Sequence, residues 1–134
     1  MAERELVMTG IGGQGVQLAT QVLALAAVAE GRQVLLFGQY GGMMRGGNTD
    51  TSLVIADGPI EAPPILGDSW SVIILHDAYA DAALAKVRAD SLVLLNSTIV
   101  GELAIPETAH VVRLLVTDVA VDVGNIMTAS LVML

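Results

Sequence analysis

A short apolar run, Leu6 to Thr9, breaks into Gly10-Ile11-Gly12-Gly13-Gln14-Gly15, and the segment from Val16 to Glu30 then reads as a helix that stops at Gly31. This order of strand, glycine loop and helix constrains the chain more than any other feature. Gly10, Gly12 and Gly15 fit the spacing G-x-G-x-x-G. The first glycine permits the tight turn, the second lets backbone approach a phosphate, and the third lets helix and strand pack closely. Free N–H groups at the helix start would favour an anion. The same glycines serve equally well a tight strand-to-helix turn that binds nothing. A second apolar run, Gln33 to Phe37, follows the Gly31-Arg32 turn and suits a parallel neighbour joined through the helix as a right-handed βαβ unit.

The alternation continues downstream. Thr51 to Ala56 reads as a strand and ends at the turn Asp57-Gly58-Pro59, and an irregular stretch holding Pro63 and Pro64 runs to Asp68. Ser71 to Leu75 is then a strand, Ala78 to Arg88 a helix, and Leu92 to Leu95 and Val111 to Val116 are further strands. From Gly124 the pattern turns helical. The expected fold is α/β, a Rossmann-like open, mostly parallel sheet with helices on both faces. The 134 residues suit a single domain, 1–134, and the apolar helix running into Leu134 suggests truncation at the C-terminal end.

Composition narrows the function. Only 15% of residues are charged, against about 25% in a typical soluble domain, so part of the surface is expected to be covered by another chain. Membrane burial is not the expected cover: the longest uncharged apolar stretch, Val22 to Ala29, falls far short of the ~20 residues a spanning helix needs. Glu3 and Glu5 beside Arg4 do not make a secretory leader, so a cytoplasmic location is expected. A net charge of −8 argues against nucleic acid as a partner. With no cysteine and two separated histidines, the chain offers no thiolate zinc site, no Cys-held iron–sulfur cluster and no evident metal site.

A second glycine-rich segment, Gly38 to Asn48, would lie beyond the carboxyl end of the second strand, where ligands bind in open α/β sheets. Arg45 is the one cation between Arg32 and Lys86, and Gly46 and Gly47 let its guanidinium converge with backbone amides on a phosphate or carboxylate. The alternative to this role is a solvated loop arginine. Tyr40, Met43 and Met44 are equally compatible with an apolar patch that docks another subunit. A dinucleotide fingerprint also wants an acidic residue at the end of the second strand to hold a ribose. Gly38-Gln39-Tyr40 stands there instead, which disfavours NAD.

Taken together, GIGGQGV at Gly10 to Val16, the tyrosine-glycine and RGG pieces of Tyr40 to Gly47, SLVIADGPI at Ser52 to Ile60 and LLNSTIV at Leu94 to Val100 resemble the gamma subunit of the 2-oxoacid:ferredoxin oxidoreductases, which act on pyruvate, 2-oxoglutarate and similar oxoacids. Asn125 and its apolar followers look like the start of that family's next helix. One departure is Gly-Gly-Met-Met before Arg45, where many relatives carry a proline and an acidic residue; it leaves the substrate subclass open. The resemblance implies a subunit of a complex that oxidatively decarboxylates a 2-oxoacid to acyl-coenzyme A and passes electrons to ferredoxin. Thiamine diphosphate and iron–sulfur clusters would sit on partner subunits. This chain would cover the active site and help bind coenzyme A through Gly10, Gly12, Gly13, Gln14, Gly15, Tyr40, Arg45, Gly46 and Gly47. Gly12 to Gly15 would face its phosphate-bearing end, and no residue here would perform bond chemistry.

Other polar residues carry less. His76-Asp77 could act as a base with its orienting carboxylate, but adjacent strand residues point to opposite faces, so a strand-end polar role is preferred. Ser97 and Thr98 lack an adjacent base and read as strand-terminating or capping residues. The alternatives to the oxidoreductase subunit are a stand-alone NAD- or FAD-dependent oxidoreductase and a purely structural partner whose glycine loop binds nothing.

Overall fold

The computed structural model describes residues 3–11, 14–40, 48–61, 68–125 and 128–134. Six strands form one sheet: β1 (Arg4–Ile11), β2 (Gln33–Tyr40), β3 (Asn48–Ala56), β4 (Ser69–Ile74), β5 (Val87–Asn96) and β6 (His110–Leu114). Among the described residues four α-helices accompany them: α1 (Val16–Ala29), α2 (Ala80–Leu84), α3 (Val116–Val123) and α4 (Ala129–Met133). The sheet order is β2-β3-β1-β4-β5-β6, with β1, β4, β5 and β6 mutually parallel and β3 antiparallel to both of its neighbours. The α/β fold with a mostly parallel sheet is therefore as expected.

The alternating strand pattern places a core on each face. Leu6, Met8, Leu53, Ile73 and Leu75 turn to one side and pack with Val16 and Ala19 of α1, Val116 and Ala120 of α3, and Met133 of α4. Val72, Ile74, Val93 and Leu95 turn to the other and meet Ala80 and Ala83 of α2. Fully burying side chains of this size contributes roughly 1.5–3 kcal/mol each. In α1 the inward positions are Val16, Ala19, Thr20, Ala24 and Ala27, mostly small, so the helix lies close against β1, β2 and β3. Its outward side carries the exposed Leu18, Val22, Leu25 and Val28.

Several sequence expectations change. The second strand is not a parallel neighbour of the first: β1 and β2 run the same way, but β3 lies between them and pairs antiparallel with each. Hydrophobic alternation marks a strand without naming its neighbour, and β3, buried on both faces through Leu53 and Val54, takes the central place. The helix expected over Ala78 to Arg88 is a single 3₁₀ turn (Asp77–Tyr79) followed by the five-residue α2. Its tail is drawn into the sheet, where Val87 pairs with Ser69, Arg88 N–H donates to Ser91 Oγ, and Ser91 Oγ donates to Ser69 O at 2.7 Å. Val116, expected to end a strand, instead opens α3. Asn96 Oδ1 accepts from Thr117 N and Thr98 Oγ1 from Asp118 N, both at 3.3 Å, so first-turn amides find side-chain partners. The helix expected from Gly124 begins at Ala129.

Candidate functional site

The register brings the two glycine segments together. Ile11 pairs with Asn48, and Thr49 pairs with Gly10 on one side and Tyr40 on the other. The carboxyl ends of β1 and β2 and the amino end of β3 thus share one sheet edge. The turn leaving β1 and the connection leaving β2 start there, separated by the width of β3. Gly12, Gly13, Arg45, Gly46 and Gly47 lie outside the described residues, as does the side chain of Tyr40; the strands that lead to them fix where their segments begin.

At the β1–α1 turn each described glycine has a physical reason. A Cβ on Gly10 would stand 2.7 Å from Gln14 Oε1 and 2.9 Å from Val16 Cγ2, so only glycine lets the helix start so near the strand. Gly15 takes φ 80°, a left-handed conformation that costs other residues roughly 1–2 kcal/mol. It caps α1 with no side-chain hydrogen bond, and no acidic residue occupies the first turn. The helix therefore opens toward the edge with a positive dipole end and no carboxylate to offset it.

Gln14 is turned inward. Only 7% exposed, it accepts from Ile11 N–H at 3.0 Å and donates to Leu75 O at 3.1 Å, while its own N–H donates to Ile11 O at 3.2 Å. Leu75 O also accepts from Asn96 Nδ2 at 3.0 Å, and the same Nδ2 contacts Thr117 Oγ1 at 2.8 Å. One buried carbonyl thereby ties the β1 turn to the ends of β4 and β5 and to α3. Gln14 and Asn96 hold the loop in place rather than offering their amides outward.

Beyond this network, between α1 and the β2–β3 pair, lies a cavity of about 260 Å³ lined by Gln17, Thr20, Gln21, Leu36, Gly38 and Thr51. Among the described residues no lining side chain is charged. Gly38 keeps it open, since a Cβ there would lie 2.6 Å from Gln17 Nε2. Thr51 is 2% exposed, and its buried hydroxyl has no hydrogen-bond partner among the described residues. A buried hydroxyl left so costs about 1–3 kcal/mol, so Thr51 is either tolerated strain or a group awaiting a partner. On the neighbouring strand, Thr9 Oγ1 donates to Asp50 Oδ1 at 2.6 Å, which fixes the β1–β3 register two residues below the edge.

The lesser candidates resolve into local structure. His76 caps the 3₁₀ turn, its Nδ1 accepting from Ala78 N–H at 3.0 Å, with Asp77 Oδ1 3.3 Å away. Ser97 extends the β5–β6 ladder through its N–H to Leu114 O at 2.8 Å, and Thr98 caps α3. Among the described residues no three His, Asp or Glu side chains group as metal ligands, and no helix is long and apolar enough to cross a membrane. Sequence reading missed Asn96, Thr117, Gln17, Thr20 and Thr51. The signal for Asn96 was an amide closing the apolar run Leu92 to Leu95 at a strand's carboxyl end; the others sit in helical or strand context with no distinguishing mark.

Comparison with known proteins gives a consistent picture. Residues 5–134 match the family model described as pyruvate ferredoxin/flavodoxin oxidoreductase. A 2-oxoglutarate synthase subunit, KorC of Methanocaldococcus jannaschii, is 30% identical over 105 residues, 78% of this chain and 56% of its own length. The chain thus spans about half the length of the curated relatives it matches. Among solved structures, the gamma subunit of a keto/oxoacid ferredoxin oxidoreductase from Geobacter sulfurreducens superposes with a TM-score of 0.81 at 26% identity, over 97% of this chain and 71% of that one. The 2-oxoglutarate:ferredoxin oxidoreductase from Magnetococcus marinus, solved with 2-oxoglutarate, coenzyme A and succinyl-CoA bound, gives 0.85 at 14% identity, covering 97% of this chain and 23% of that one. The second likeness speaks for the fold alone.

Proposed function

Because the chain belongs to the pyruvate ferredoxin/flavodoxin oxidoreductase family, we propose that it works as a gamma-type subunit that covers the active site of a cytoplasmic 2-oxoacid:acceptor oxidoreductase and helps hold coenzyme A. The observation that carries this reading is the shared edge, where Ile11 pairs with Asn48 and Thr49 with Tyr40. There the uncapped start of α1 and the Gly41 to Gly47 segment with Arg45 would receive the phosphates. The adjoining cavity, whose described lining is uncharged and includes the amides of Gln17 and Gln21 and the hydroxyls of Thr20 and Thr51, suits the neutral, hydrogen-bonding arm that links those phosphates to the thiol. Gly10, Gln14 and Gly15 serve by shaping the turn.

Thiamine diphosphate would supply oxoacid cleavage and iron–sulfur clusters would take up the electrons, both on partner subunits. This chain has no cysteine to hold a cluster, and its described residues supply no metal-ligand group. The outward apolar positions of α1 suit burial against those partners. A stand-alone NAD enzyme is disfavoured further by topology: with β3 inserted, the end of β2 lies two strand spacings, about 10 Å, from the end of β1. A ribose anchored as in a dinucleotide fold would have to bridge that gap.

The test is a steady-state comparison in the assembled complex. Arg45→Ala should raise KM for coenzyme A about tenfold or more, the loss typical of one charged hydrogen bond, and leave the 2-oxoacid KM unchanged. An unchanged coenzyme A KM with a raised 2-oxoacid KM would place Arg45 at the substrate carboxylate and overturn the assignment.

A further inference from the structure

At the opposite end of the sheet, where Arg4 pairs with Ile55, a second cavity of about 480 Å³ opens between the last turns of α1 and the sheet. The register separates it from the Ile11–Asn48 edge by seven residues of β1, roughly 23 Å. Its walls include Leu6, Leu23, Ala27 and Ile55, and Arg4 and Trp70 stand at it with Glu30 and Arg32. That volume falls within the ~300–1,000 Å³ of small-molecule pockets.

The charges are unequal. Arg32 is held by Glu30 at 3.2 Å and also by Asp57, Arg88 by Asp68 at 2.7 Å and Glu5 at 3.3 Å, and Arg113 lies 4.0 Å from Glu102. Arg4, among the described residues, shows no carboxylate partner. Its guanidinium lies over the Trp70 ring, 4.5 Å from the centroid. In a chain with fourteen acidic and six basic residues, an arginine parked on an aromatic ring beside an apolar cavity is poorly explained by surface solubility. Among the described residues its N–H donors meet no acceptor, and the ring orients the guanidinium plane without consuming them.

We infer that this cavity is a second binding site, separate from the glycine-loop edge, for a small organic anion with an apolar body: the body lies against Leu6, Leu23 and Ile55 and the carboxylate meets Arg4. Trp70 is the chain's one tryptophan, so its emission reports on this site alone. The experiment titrates the full chain with hexanoate and, in parallel, with the uncharged hexanamide, reading Trp70 fluorescence. A saturable change with hexanoate is expected, with hexanamide weaker. Arg4→Gln, at an exposed strand start, should weaken hexanoate about tenfold and leave hexanamide unchanged. Ala26→Leu, which adds bulk at the cavity from an exposed helix position, should weaken both ligands. No saturable response, or equal hexanoate affinity with and without Arg4, would overturn the site. Either failure leaves the coenzyme A reading untouched, because that rests on the other end of the sheet.

Discussion

The two flanks of β1 at the carboxyl edge are built on opposite terms. Toward β4 and β5, the side-chain amides of Gln14 and Asn96 are committed: both donate to Leu75 O, Gln14 accepts from Ile11 N–H, and Asn96 bonds both Thr117 Oγ1 and Thr117 N. Toward β3 and β2, a cavity is held open by Gly38, and the buried hydroxyl of Thr51 has nothing to bond among the described residues. The first flank has the signature of a scaffold, in which further polar contact would require breaking one already made. The second has the signature of a receiving surface. A ligand-binding domain needs both, since a glycine loop without a rigid backing could not hold backbone amides in register with a phosphate.

The largest effect should come from removing the amide that joins β5 to the end of β4 and to α3. Asn96→Ala strips Thr117 N and Thr117 Oγ1 of their partner and leaves Leu75 O with one donor, which should cost about 3 kcal/mol and lower Tm by roughly 10 °C. Differential scanning calorimetry checks it; a shift under 2 °C would mean that water replaces the amide and the scaffold reading is too strong. Gln14→Ala should cost about 2 kcal/mol by the same logic, because Ile11 N–H loses its acceptor within a half-buried turn. If Gln14→Ala instead leaves Tm unchanged and raises KM for coenzyme A in the assembled complex, its side chain serves the ligand and the contrast between the flanks fails.

On the receiving flank the sign should reverse. Thr51→Val removes a buried hydroxyl that has no partner among the described residues, from a site that keeps its shape, so stability should rise by up to about 1 kcal/mol. Coenzyme A should bind the assembled complex a few-fold more weakly. A stability loss on calorimetry would show that the hydroxyl is satisfied in solution and carries fold rather than function.

How far these flanks were legible in the sequence differs for physical reasons. The β1 turn was readable because its constraint is local: a helix that starts one turn from a strand needs glycine at the points of closest approach, and Gly10 and Gly15 show that need in their spacing. The direction of Gln14 was not readable, since an amide beside a glycine loop can point to a phosphate or to a neighbouring strand's carbonyl. Only the position of Leu75, sixty-one residues away, decides it. The place of β3 was likewise a tertiary matter. Thr51 to Ala56 shows a strand's residues but not its partners, and the shared edge arises through β3 rather than through adjacent βα units. The cavity beside Thr51 exists only because β3 and β2 meet α1 there, and no local pattern announces it.

The most direct measurement is hydrogen–deuterium exchange on the assembled complex with and without coenzyme A. Peptides covering residues 14–21 and 38–51 should gain protection on binding, while the peptide covering residues 92–98, around Asn96 on the scaffold flank, should exchange unchanged. Unaltered exchange in both of the first two peptides, with protection confined to the β4–β5 side or to partner subunits, would contradict the assignment of the receiving surface.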